Sequence, residues 1–306
     1  MASDAILRTY GDTSIKEDVV LNAVEILTAQ ENQISNMLQK TQAIALVHVY
    51  LRDTLRTAAS AAVDEAADYT ALERSVPTRG TNIVEHIAIP FKVSRAQSTA
   101  QHYHGQDEKE RQTTKALKDF GNALEFDLVR STLVSGVSGT IPKMSGIIQA
   151  LSKSTNYTSH TSTTVLVASI LDGLMKLNWD NSNGDVATDI FMGSFLRNVV
   201  DQFAQKSNVV VNTGGISAIV KTVSTYETAM GTVRFHKHRY VQQSTDAHSR
   251  LLAIRPEKLA IAWFEKPYID TTLARLGPYD FRAVAGSLTL EMRNQDSNWY
   301  ADGFTK

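Results

Sequence analysis

Asn82-Ile-Val-Glu-His-Ile-Ala-Ile-Pro-Phe-Lys-Val-Ser94 runs into a long amphipathic stretch that closes at Gly136. Ile83, Ile87, Ile89, Phe91 and Val93 alternate onto one side, broken only by Glu85, which predicts a strand with one apolar face. Pro90 has no amide hydrogen for a ladder, so the strand belongs at a sheet edge. Further on the period changes. Leu117, Phe120, Leu124 and Leu128 recur at helical spacing and share a face, with Lys109, Arg111, Lys115 and Lys118 mostly off it. Asp107, Glu108 and Glu110 crowd the first turn, where carboxylates suit the positive end of the helix dipole. Gly136 stands where a C-terminal stop is expected. The predicted helix, Gln106–Ser135, is about 45 Å long, long enough to act as a spine.

Ahead of the strand, Ile44–Leu55 is a second candidate strand, opening Ile-Ala-Leu-Val-His-Val-Tyr-Leu. The stretch from Arg52 to Thr81 is too long and polar for a tight connection, and Pro77-Thr-Arg-Gly80 marks a turn. The two strands therefore form a long hairpin-like arm. An isolated two-stranded ribbon is marginal in water, so it needs a surface to lie on, and a partner subunit is the simplest one. Such an arm feeding one long helix suits a subunit that reaches across its neighbours better than an enzyme enclosing a small substrate.

Ile15–Lys40 predicts another amphipathic helix, started by a Ser14/Glu17 capping box. A core helix and an arm packed on a neighbour both fit it. Val137–Gly146 reads as a loop, Val165–Trp179 and Ser194–Gln205 as helices, and Asp189-Ile-Phe-Met-Gly as a short strand. Strands are then expected at Ile216–Ser224, Gly231–Val241, Leu259–Trp263 and Val284–Met292. Helices and strands in this order predict an α+β protein.

The chain has 306 residues, 42% hydrophobic and 21% charged, as a globular protein has. Its 31 basic and 32 acidic residues leave a net charge of -1, which argues against nucleic-acid binding as its main task. With no cysteines there are no disulfides, thiolate metal sites or thiol catalysis. Met1-Ala-Ser-Asp shows no secretory signal, and no apolar run of about 18 residues predicts a membrane span.

Motifs for chemistry are weak. Asn212-Thr-Gly-Gly-Ile-Ser217 lacks the Lys-Ser/Thr of a phosphate loop and reads as a turn. His236-Lys-His238 has a zinc-compatible spacing but no third ligand nearby, and His102-Tyr-His104 is as bland. Asn156-Tyr-Thr158 matches a glycosylation acceptor by chance. No nucleophile elbow, metalloprotease helix or dinucleotide fingerprint occurs. No catalytic, cofactor-binding or metal residue is nominated, and no enzyme is expected.

Several runs together resemble the major capsid proteins of tailed bacteriophages. They are Ala61-Ala-Val-Asp-Glu-Ala-Ala-Asp-Tyr-Thr70, Pro77-Thr-Arg-Gly-Thr-Asn82, and Phe91-Lys-Val-Ser94 leading into Lys115-Ala-Leu-Lys118. Thr225-Tyr-Glu-Thr with Gly231-Thr-Val-Arg-Phe, Tyr268-Ile-Asp-Thr-Thr-Leu-Ala-Arg-Leu-Gly277 and Gly286-Ser-Leu-Thr-Leu-Glu-Met-Arg-Asn294 resemble the end of one such family. The likeness covers about Ile15 to Asn294, and Arg275-Leu-Gly-Pro-Tyr279 departs from the more usual Lys-Thr-Gly-Asp.

The resemblance implies the tailed-phage major capsid fold, with an N-terminal arm at 1–43 and an extended β-hairpin loop at 44–93. A peripheral domain with the spine helix would take 94–136 and 262–306, and an axial domain 137–261. It implies a structural protein that self-assembles into pentamers and hexamers of an icosahedral shell around double-stranded DNA, held without sequence-specific binding. A separate scaffold protein, a portal and a cement protein are the expected partners, with no membrane and no cofactor. Assembly would occur in the bacterial host cytoplasm, ending in the virion capsid. A cargo-holding nanocompartment of the same fold is the alternative, a soluble enzyme a remote one. Across subunit boundaries, Asp64, Glu65, Asp68 and Glu73 on the loop are expected to meet Lys109, Arg111, Lys115 and Lys118 on the spine.

Overall fold

The computed structural model describes residues 32–55, 58–65, 68, 74–99, 108–137, 139–206, 224–243, 245–273 and 277–305. The Ser14/Glu17 helix start, His102, His104, Asn212–Ser217 and Glu73 lie outside them. A short helix, α1 (Gln33–Met37), precedes strands β1 (Gln39–Gln42), β2 (Val47–Arg52), β3 (Thr78–Ile83) and β4 (Glu85–Ser94). Helices α2 (Arg95–Thr99), α3 (Glu108–Arg130) and α4 (Ile147–Leu151) follow, then β5 (Tyr157–Thr164), α5 (Ala168–Ser182), β6 (Asp189–Met192) and α6 (Ser194–Lys206). The chain continues through β7 (Thr225–Thr228), β8 (Gly231–Lys237), β9 (Ser249–Ile254), β10 (Leu259–Asp270), β11 (Tyr279–Met292) and β12 (Trp299–Phe304).

Among the described residues the strands form three sheets. One has four strands in the order β1-β10-β11-β4, one six in the order β5-β12-β9-β6-β8-β7, and β2 and β3 pair alone as a ribbon. Pro90 sits opposite Ala283 on an edge strand, where its missing N–H costs no ladder bond. The expected alternation holds: Glu85, Ile87 and Val93 are buried while His86, Ala88, Pro90, Lys92 and Ser94 are exposed.

The six-stranded sheet is covered on both faces, and its central strands show why. On β9, Leu252 and Ile254 join a core with Phe120, Leu124 and Leu128 of α3, Ile147 and Leu151 of α4, and Leu288 and Leu290 of β11. Leu251 and Ala253, pointing the other way, join a second core with Leu171, Leu174 and Met175 of α5 and Leu196 and Val200 of α6. Strands buried on both faces read as continuous apolar runs instead of alternating, which is how Ile190-Phe-Met192 and Leu251–Ile254 read.

Several expected boundaries move. The long helix ends at Arg130, not Ser135, because Val134 pairs with Lys143 and Gly146 N donates to the Ser131 carbonyl, drawing the chain off the helix axis. Its buried stripe is Ala116, Phe120, Leu124 and Leu128, whereas Leu117 is exposed. Within the described part of Ile15–Lys40 the helix stops at Met37, and the polar Gln39–Gln42 pairs in parallel with Ala260–Trp263. The continuous strand 82–94 is two strands with different partners. The stretch 262–306 is divided between sheets, since β12 pairs with β5 and β9 in the six-stranded one.

Gly303 shows how tightly β12 is seated. Its φ is 83°, and a Cβ there would collide with the backbone carbonyl of His160 on β5. Gly303→Ala combines left-handed strain with a backbone collision and is expected to cost about 2–4 kcal/mol. Urea unfolding measures it; a loss under about 1 kcal/mol would contradict the geometry.

Candidate functional site

The β2–β3 ribbon has its polarity reversed. Val47, Val49 and Leu51 point to solvent at 53%, 49% and 67% exposure. The alternate residues His48, Tyr50 and Arg52 face inward and are half-buried. His48 Nε2 lies 3.5 Å from Glu291 Oε2, the Tyr50 ring lies across Gly80, and Arg52 donates to the Tyr50 hydroxyl at 3.0 Å. Register places Val47, Val49 and Leu51 opposite Ile83, Thr81 and Arg79, so the outward face is apolar along β2. An antiparallel ribbon in water should show the opposite pattern. Ile44 at 90% and Leu55 at 98% are exposed in the chain before and after β2. A contiguous exposed apolar face marks an interaction surface.

The ribbon joins the body at Val84. Asn82 and Glu85 flank that point, and both are buried. Asn82 Nδ2 donates to the carbonyls of Leu290 (2.8 Å) and Ser145 (3.2 Å), and its Oδ1 accepts from Ser145 N at 2.9 Å. Glu85 Oε2 accepts from Ser131 Oγ at 3.0 Å and Met144 N at 3.1 Å.

Nearby on α3, burial lifts the Asp127 carboxyl to about 7, with the neighbouring Glu85 carboxylate adding to the rise and Lys143 opposing it. The protonated form thus suits the folded chain, and the unfolded carboxyl ionises near 3.8. Below about pH 4 the group is neutral in both states and changes nothing. As pH rises toward 7 the fold must hold a proton or bury a charge, so stability falls, and the loss is complete above 7. Asp127→Asn should remove that slope, leaving the variant more stable at pH 8 by roughly 1–2 kcal/mol after discounting for the water-exposed part of the site. Urea unfolding of both proteins at pH 5 and 8 tests the sign; a gap that narrows with rising pH would contradict it.

A third buried group ties the chain's beginning to the spine. Glu125 accepts from Ile34 N (2.6 Å) and Ser35 N (2.9 Å), and lies 2.9 Å from His238 Nε2. Tyr240 N donates to His238 Nδ1 at 3.2 Å, so the ring hydrogen sits on Nε2 and points at Glu125. His236 instead bonds Asp189 at 2.8 Å. The two imidazoles serve different carboxylates, and no metal-holding cluster occurs among the described residues. Asn156 is buried, with its amide bonded to the carbonyls of Asp296 and Asn298, so it is closed to modification in the folded chain.

The residues expected to meet across subunits are partly engaged within the chain. Lys109 bonds Asp280 at 2.5 Å, and Arg111 grips Glu108 through two bonds of 2.8 and 2.6 Å. Lys115 is exposed and Lys118 half-exposed, and Asp64, Glu65 and Asp68 are exposed on the loop. The sequence reading missed the apolar face of β2, although alternation with His48, Tyr50 and Arg52 was there to find it. Glu125 was missed because its partners lie 90 and more residues away.

The family model described as SU10 major capsid protein matches residues 7–303. No curated protein matches the sequence. Among solved structures, the capsid of a native GTA particle is similar at TM-score 0.62 and 11% identity, over 93% of both chains. A structure from Microbacterium phage Oxtober96 gives 0.61 and 13%, over 93% of this chain and 94% of its own. The holo-SrpI encapsulin complex from Synechococcus elongatus PCC 7942 gives 0.60 and 11%, over 94% of both. At such identities the likeness is one of fold.

Proposed function

The chain belongs to the SU10 major capsid protein family, and from that premise we propose that its copies close an icosahedral shell by laying the apolar face of each ribbon on the next subunit. The chain is a structural shell protein with the tailed-phage capsid fold. The observation that carries the assembly reading is the outward array of Val47, Val49 and Leu51, exposed on a ribbon that pairs with no further strand among the described residues. Hexamers and pentamers around double-stranded DNA are the arrangement this supports. The balanced charge fits a genome that must be held and later released. A scaffold protein, a portal and a cement protein are the further partners of this reading, with assembly in the host cytoplasm and the virion as destination. Residues 1–43 would serve as arm, 44–83 as the extended loop proper, the four-stranded sheet with α3 as peripheral domain and the six-stranded sheet as axial domain. Asp64, Glu65 and Asp68 would reach Lys115 and Lys118 of a neighbour, each exposed pair contributing about 0–1 kcal/mol.

The encapsulin likeness supports a second reading, a shell that holds protein cargo. Electron microscopy of the purified full chain tests both. Closed shells or rings of five and six are expected, and a protein that stays a dispersed monomer overturns both. Shells isolated from the natural source with nuclease-protected DNA support the first reading; shells filled with a second protein and free of DNA support the other.

A further inference from the structure

We propose that the two ends of the loop after the spine helix, 131–134 and 143–146, are a clamp that fixes the angle of the β2–β3 ribbon to that helix, and that opening it lets the ribbon swing at its two connections, Val84 and 43–46. The proposal rests on the assembly reading above and says what aims the ribbon at its neighbour. Between β3 and β4 only Val84 lies outside the strands; it is buried with Ala43 and Ala262, its N–H donates to the Leu46 carbonyl at 2.8 Å, and beyond it the chain exchanges β2 for β11 as its partner. The ribbon's other strand reaches the same four-stranded sheet through residues 43–46, between β1 and β2, so two short connections side by side form its hinge.

Asn82 and Glu85, to either side of Val84, are polar and buried, which is costly unless they are bonded. Both are satisfied by the same loop. Asn82 takes Ser145 by its N–H and its carbonyl, as one strand takes another, and adds the Leu290 carbonyl of the four-stranded sheet. Glu85 takes the Ser131 hydroxyl and the Met144 amide. Such directional bonds set an angle, where apolar packing alone tolerates sliding.

The loop is itself fixed to the spine. Val134 and Lys143 bridge it in both directions at 3.1 Å, and Gly146 N donates to the Ser131 carbonyl at 2.8 Å. Gly146 lies so close to the last turn of α3 that a Cβ would stand 2.8 Å from Ser131 N and 2.9 Å from the Asp127 carbonyl oxygen. Spine end and loop therefore move together, and they hold the chain on both sides of Val84, at Asn82 in the ribbon and at Glu85 in β4. The His48–Glu291 contact, at 3.5 Å, is a looser tie beside it.

The chain has no cysteines, so spin labels go only where they are placed. Labels at Leu51→Cys on the ribbon and Asp119→Cys on the spine, both exposed sites, report the angle as a distance in dilute full-length subunits. Electron–electron double resonance should give one narrow distance distribution in the labelled parent. Asn82→Ala should at least double its width, with the circular dichroism spectrum unchanged. Ser131→Ala, which removes only one hydroxyl, should broaden it less and stands in if Asn82→Ala does not fold. A broad parent distribution, or variants as narrow as the parent, overturns the clamp. Neither result bears on whether the unlabelled chain forms shells, which microscopy reads separately.

Discussion

Replacing Val47, Val49 and Leu51 together by glutamate is expected to abolish closed particles while leaving the subunit folded. The three side chains are about half exposed or more in the single chain. Exposed substitutions usually change stability by no more than about 0.5 kcal/mol each. The interface would feel them very differently. Full burial of a valine or leucine contributes about 1.5–3 kcal/mol, so one ribbon face would lose several kcal/mol per contact and would also bring carboxylates into an apolar seat. On the assembly reading each subunit would give one ribbon and receive one, so the defect would repeat at every contact of a shell. A threonine triple variant keeps strand propensity and removes apolar surface without adding charge, so it should assemble poorly instead of failing outright. Size-exclusion chromatography and microscopy of parent and both variants decide the matter. Normal shells from the glutamate variant would sink the assembly reading; loss of the subunit's circular dichroism would show that the ribbon face is structural.

What could be read from the sequence was what is set locally. Pro90 put its strand at an edge because a missing donor is a local fact, and the helical stripe through Phe120, Leu124 and Leu128 is a local period. The misreadings came from tertiary causes. Gly136 looked like a helix stop, but the helix is ended earlier by the pairing of Val134 with Lys143. Strand β9 carries no alternation because both faces are buried, and the Ser/Thr-rich β5 is a strand because β12 lies beside it. The opposite charges of loop and spine suggested pairing across subunits. Yet Lys109 and Arg111 have nearer partners in Asp280 and Glu108, one from a distant strand and one a single helical turn away. Glu85 was legible as an interruption of an apolar face; that it grips the base of the ribbon was not, since Ser131 and Met144 reach it only once the loop has folded back.

Glu125→Ala is expected to be the most destabilising single substitution proposed, at about 4–6 kcal/mol, because it strands three buried donors at once. Ile34 N, Ser35 N and His238 Nε2 all point at this carboxylate, and both side chains of the Glu125–His238 pair are fully buried. The amide of Tyr240 occupies the other ring nitrogen, so the imidazole cannot turn its hydrogen elsewhere without breaking that bond. Alanine offers no acceptor, and each unmet donor in a dry site costs about 1–3 kcal/mol. Glutamine keeps one acceptor oxygen and the side-chain volume but turns an NH2 toward a donor, so its cost should be about 1–3 kcal/mol. The order Ala well above Gln distinguishes lost hydrogen bonding from lost packing, which glutamine would restore almost completely. The same carboxylate is the bond between the α1 turn and the spine, so amide exchange at Ile34 and Ser35 should accelerate in Glu125→Ala more than exchange in the centre of α3. Urea unfolding gives the energies and hydrogen exchange gives the location. An alanine variant within about 1 kcal/mol of the parent, or one whose Ile34 and Ser35 amides stay protected, would show that Glu125 is not the anchor of the N-terminal turn.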